Sequence, residues 1–110
     1  MAELLKESNL TVTNADGGII VQGATDKTMT VMAISICETA GNAETISLWR
    51  TDLAGSNVFY VLFEVSLPAK ATYFYDNKIV LGATSELWVG SPSESANIDV
   101  KTSYLEQDVS

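Results

Sequence analysis

Apolar residues in this chain come in short runs rich in Val, Ile, Thr, Tyr and Phe, cut by clusters of Gly, Asn, Asp and Ser. That pattern predicts strands joined by turns. The runs place strands at residues 10–13, 19–22, 28–38, 44–51, 58–67, 72–75, 79–81, 86–89 and 97–105. Residues 2–7 also fit a first turn of helix. Strands every ten residues or so, with no helix long enough for βαβ units, predict an all-β fold with antiparallel pairing. The expected architecture is a β-sandwich of about eight strands, immunoglobulin-like or jelly-roll-like. A chain of 110 residues fits one domain. Its ends are read as an extended N-terminal arm over residues 1–13 and a mobile tail over 106–110.

The faces of these strands carry the next inference. Residues 28–38 are apolar on both, with Met29, Val31 and Ala33 on one and Met32, Ile34 and Ile36 on the other. Such a strand is expected to be central or covered twice. Residues 44–51 alternate, with Ile46 and Leu48 inward and Thr45, Ser47 and Trp49 outward. Trp88 likewise falls opposite Leu87 and Val89. In residues 58–67, strict alternation places Phe59, Val61, Phe63 and Val65 on one side and Val58, Tyr60, Leu62 and Glu64 on the other. Outward tryptophans on a soluble domain point to contact surfaces, because Trp and Tyr are frequent interface anchors. The candidate subunit interface is therefore Trp49, Trp88, Tyr60 and Leu62. Cover by another part of the chain, and stacking of a sugar on the rings, are the alternatives.

Composition narrows the classes. Apolar residues make up 46%, enough for a core without disulfides or metals. Six basic against 14 acidic residues leave a net charge of −8, which disfavours nucleic acid and anionic lipid as partners. No stretch approaches a membrane span, and residues 1–7 lack a secretion signal. The lone Cys37 excludes an intrachain disulfide, is expected to be a small buried hydrophobe, and suits a reducing compartment such as a host cytoplasm. Asn9-Leu10-Thr11 matches a glycosylation acceptor by chance.

Catalytic chemistry is thin. The absence of histidine excludes His-based triads and His-ligated metals. No glycine-rich phosphate loop is present. Asn14-Ala15-Asp16-Gly17 lacks the alternating acids of a calcium loop, and nothing in the spacing of Glu94 and Asp99 marks them as ligands. Glu64 lies in an apolar strand but faces outward, as a solvated or interfacial carboxylate would. The chain is expected to be no enzyme and to hold no cofactor or metal.

Several segments resemble the small β-sandwich virion proteins of tailed bacteriophages. They are Ile34-Ser35-Ile36-Cys37-Glu38, then Ile46-Ser47-Leu48, then Leu67-Pro68-Ala69-Lys70-Ala71-Thr72, then Ile79-Val80-Leu81-Gly82-Ala83-Thr84-Ser85-Glu86-Leu87-Trp88-Val89. The likeness spans most of residues 18–105. Gly82-Ala83-Thr84-Ser85 departs from the Ala-Gly-Asp usual at that turn. The resemblance implies a structural part of the virion, capsid decoration or cement first, neck or tail accessory second. Its implied partners are copies of itself and other virion proteins, the major capsid protein foremost. A carbohydrate- or receptor-binding module is the reading from another class.

Overall fold

A computed structural model describes residues 3–13, 17–52, 57–92 and 96–108. Among them the chain forms nine strands and no helix: β1 (Glu3–Val12), β2 (Gly18–Gln22), β3 (Lys27–Glu38), β4 (Glu44–Asp52), β5 (Asn57–Leu67), β6 (Thr72–Tyr75), β7 (Ile79–Leu81), β8 (Glu86–Gly90) and β9 (Ile98–Asp108). One sheet runs β1-β9-β3-β6, with β7 also on β3; the other runs β2-β8-β4-β5. All pairings are antiparallel. β6 and β7 lie end to end along one edge of β3, opposite Ile34–Cys37 and Met29–Val31. Counted as one position they leave the expected eight.

Connectivity decides between the two expected sandwiches. Apart from β4 to β5 and β6 to β7, every connection crosses from one sheet to the other. That is the jelly roll. An immunoglobulin sandwich keeps its first two strands in one sheet, and here β1 and β2 lie in different ones.

The inner faces meet in a core of Val31, Ile34, Ile36, Leu81 and Ile98 from one sheet and Ile46, Leu48, Leu87 and Val89 from the other, all fully buried. Each such side chain contributes about 1.5–3 kcal/mol on burial. β3 is central, as its composition predicted, but its two apolar faces have another cause. Val31 and Ala33 oppose consecutive positions of β9, Tyr104 and Ser103, so Met32 is an extra residue. The bulge resets the alternation. Met29 and Val31 are buried before it and Ile34 and Ile36 after it, while Met32 is left 37% exposed.

Both chain ends lie in the first sheet. Residues 3–12 are extended and not helical: β1 ladders onto β9 from Glu3↔Gln107 to Val12↔Ile98, and Lys6 bridges to Glu106 at 3.1 Å. β9 in turn continues through residues 106–108, pairing with β3 as far as Lys27↔Asp108, where Lys27 and Asp108 form an ion pair. A strand with a partner on each side is not a mobile tail. Residues 109–110 lie outside the described residues.

Polar groups clamp both ends of β4. Glu38, only 2% exposed at the end of β3, accepts backbone N–H bonds from Lys70 (2.9 Å), Ala40 (2.7 Å) and Gly41 (2.9 Å). One carboxylate thereby joins the β3–β4 turn to the turn before β6, where Lys70 sits at φ 62°. The Lys70 N–H, followed by those of Ala40, Gly41 and Asn42, holds the Glu38 carboxyl below its usual range against the opposing effect of burial. At the far end of β4, Arg50 donates to the Val80 carbonyl at 3.1 Å and to Ser85 Oγ at 3.2 Å, linking the two sheets. The Ser85 hydroxyl donates to Asp52 and lowers its carboxyl as well, aided by Arg50. Ser85 N–H also closes the turn onto the Gly82 carbonyl at 3.2 Å. The residues Gly82-Ala83-Thr84-Ser85, which depart from the phage pattern, therefore still make a tight turn.

Glu38→Gln is expected to lower the melting temperature at neutral pH by about 5 °C or more. A folded-state carboxyl pKa below the unfolded one contributes stability above the unfolded pKa and loses it as pH falls through the folded value. Thermal melts should therefore show the gap between wild type and Glu38→Gln closing as pH drops below about 4.5. A gap independent of pH would show that the Glu38 charge contributes nothing.

Candidate functional site: an aromatic row on the outer face of the four-stranded sheet

Alternation along β4 buries Ile46 and Leu48 and turns Ser47, Trp49 and Thr51 to the outer face. Register sets Trp49 directly opposite Trp88 of β8. Their rings stack at 6.1 Å between centroids, 11° from parallel. On the other side of Trp49, β5 supplies Tyr60 as cross-strand partner, at 6.0 Å and tilted by 54°. Tyr60 then meets Phe63 edge-on at 4.8 Å. Beyond Trp88, β2 places Ile19 opposite. The row Ile19–Trp88–Trp49–Tyr60–Phe63 thus crosses the whole sheet. Aromatic pairs of this kind contribute about 0.5–1.5 kcal/mol each beyond area burial.

Of the expected contact residues, Trp49, Trp88 and Tyr60 come together and Leu62 does not. β5 carries two bulges against β4. Tyr60 opposes Trp49 and Leu62 opposes Leu48, so Val61 is extra; Val65 opposes Ile46, so two residues, Phe63 and Glu64, face the single Ser47. Cross-strand partners share a face. Leu62 therefore turns inward beside Leu48 and packs on the core. The second bulge moves Phe63 to the Tyr60 side. Glu64 takes a left-handed backbone, φ 50°, and its N–H donates to Ser47 Oγ at 3.0 Å. Phe63 is the site residue that strict alternation misses, since nothing in the local sequence marks a bulge.

β5 is an edge strand. Val58, Phe59, Tyr60 and Phe63 along it are all at least half exposed. A long apolar edge is an invitation to association. The adjacent carboxylate is restrained: Glu86 accepts from Thr51 Oγ1 at 3.1 Å, Gln22 Nε2 at 3.2 Å and Trp88 Nε1 at 3.4 Å. Trp49 is flanked by Trp88 and Tyr60 on its two sides, while the rings of Tyr60 and Phe63 remain more than half exposed.

Cys37 departs from expectation. It opposes Asp99 on the outer face of the other sheet and is half-buried, because Ile36 takes the inward position. With Asn9, Thr11, Ser35 and Lys101 it lines an open depression of about 460 Å³. Asp99 accepts from Thr11 Oγ1 at 3.0 Å. Residues 14–16 of the weak calcium-loop candidate, and Glu94, lie outside the described residues.

No family model and no curated protein sequence matches the chain. Several solved structures share its fold. A subunit of Bacillus endospore appendages, described as disulfide-linked pili, superposes with a TM-score of 0.54 at 8% identity, over 98% of this chain and 89% of that one. Eiger TNF from S. frugiperda gives 0.50 at 9% identity, over 98% and 93%. VP2 of the infectious bursal disease virus subviral particle gives 0.48 at 8% identity, over 98% and 38%. At identities this low the first two establish a common fold and nothing finer.

Two indoles this close should couple electronically and give an exciton couplet in far-ultraviolet circular dichroism. Trp49→Phe or Trp88→Phe alone is expected to abolish the whole couplet. A couplet that merely halves in each variant would contradict the stacked geometry.

Proposed function

We propose that this chain is a structural subunit acting in many copies, and that its outer aromatic row is the surface on which a neighbouring protein packs. The observation that carries the reading is the row itself, which ends in the exposed rings of Tyr60 and Phe63 at a sheet edge. A net charge of −8 makes copies repel one another, so contact is favoured where charge is absent or restrained. Along this row the Glu86 carboxylate is already occupied by three donors.

The proposed setting is a bacteriophage virion, with the chain as a capsid decoration or cement protein on the major capsid protein. Support for that finer step is the resemblance of residues 18–105 to small phage virion proteins; for the coarser step, a many-copy structural subunit, the fold shared with a pilus subunit adds support. Many weak contacts on a repeating shell would add by avidity. Synthesis in a host cytoplasm agrees with the single unpaired cysteine.

Sedimentation of the purified protein tests the reading. Wild type is expected to form oligomers at high concentration or to bind capsids. Tyr60→Lys with Phe63→Lys should lower that association at least tenfold while the protein stays folded, its melting temperature falling only by what the two lost ring contacts contribute, roughly 1–3 kcal/mol. A strict monomer that also binds neither capsids nor tails would overturn it.

A further inference from the structure

The outer face of the four-stranded sheet is not uniformly raised. Ser47 of β4 stands opposite Gly90 of β8, two small residues beside a row of rings. They floor a hollow of about 180 Å³ whose walls include Trp49, Tyr60, Phe63 and Glu64. The second bulge of β5 builds the rim, since it brings Phe63 outward and sets Glu64 beside it. Glu64 holds a backbone conformation uncommon for a residue with a side chain, fixed by its bond to Ser47. Ser91 also lines the hollow. Its hydroxyl is buried, with the residue 1% exposed, and has no hydrogen-bond partner among the described residues. A buried polar atom left unpaired is costly.

The polar lining and the surrounding charge share one electrostatic preference. Aromatic rings attract cations through their quadrupole, an ionised Glu64 carboxylate is an acceptor only, and the Ser91 oxygen has no partner among the described residues. A net charge of −8 raises the local concentration of cations further. An anion would be repelled, and a neutral sugar, whose hydroxyls can donate to a carboxylate, would bring no charge to balance it. We infer that this hollow receives an ammonium or guanidinium group, the end of a lysine or arginine side chain on the protein that docks against the aromatic row. The inference rests on the proposed role of this face as a contact surface and names the chemistry its partner presents.

Arginine amide serves as the probe, added to isotope-labelled protein at a concentration where it sediments as a monomer. Amide shifts of Ser47, Glu64 and Ser91 and the Trp49 indole signal should move and saturate, with a Kd on the order of 10 mM. Affinity should fall with added salt, and Glu64→Gln should weaken it by at least about fivefold while leaving the fold signals in place. Glucose and inorganic phosphate should produce no saturable shift. Saturation by glucose to the same extent, undiminished binding to Glu64→Gln, or no saturable shift with arginine amide would each overturn the inference. Because the probe reads the hollow in the monomer, its failure beside intact oligomers would remove the cation site alone.

Discussion

Side chains on a β-strand alternate between two faces, and in a two-layer sandwich only one of those faces reaches the core. The long strands of this protein carry more apolar residues than one face can take. β3 and β5 resolve the excess with bulges. The bulge at Met32 keeps Met29, Val31, Ile34 and Ile36 all inward. The pair at Val61 and at Phe63–Glu64 sends Leu62 inward beside Leu48 and leaves Tyr60 and Phe63 outside. One device thus completes the core in one sheet and builds an exposed aromatic edge on the other.

Charges are managed by the same economy of position. Most acidic residues are on the surface, but Glu38 and Asp52 are tied into the fold near opposite ends of β4. Glu38 closes two turns by accepting from backbone N–H groups of both, and the Arg50–Asp52–Ser85 cluster reaches across to the Val80 carbonyl of the facing sheet. These bonds fix the loops that frame the sandwich. The strands between them are then free to carry rings outward, without relying on those rings for the core.

Most of the fold could be read in the sequence because turn residues punctuate it cleanly. The nine strands lie within a few residues of their expected limits, except that β1 starts well before residue 10. That early start was hidden because the pairing of residues 3–12 with β9 is a contact across nearly the whole chain. Trp49 and Trp88 were legible as outward residues from alternation alone. Their stacking depended on β4 lying next to β8, which is a matter of topology. Leu62 and Phe63 exchanged roles because a bulge has no reliable local signature. Glu38 gave no signal either: its burial follows from the Lys70 turn approaching from more than thirty residues away.

The surface proposed for a partner is one sheet face, aromatic at its β5 edge, on an acidic body. The other sheet combines Cys37, Asp99 and Lys101 with exposed Leu5, Phe74 and Val80 but forms no such row of stacked rings among the described residues. An electron-microscopy reconstruction of the assembled form, resolved to side chains, tests this division most directly. Burial of Trp49, Tyr60 and Phe63 at the contact between subunits, or against the shell, is the expected result. A reconstruction with those rings facing solvent and the Cys37 face at the contacts would contradict it.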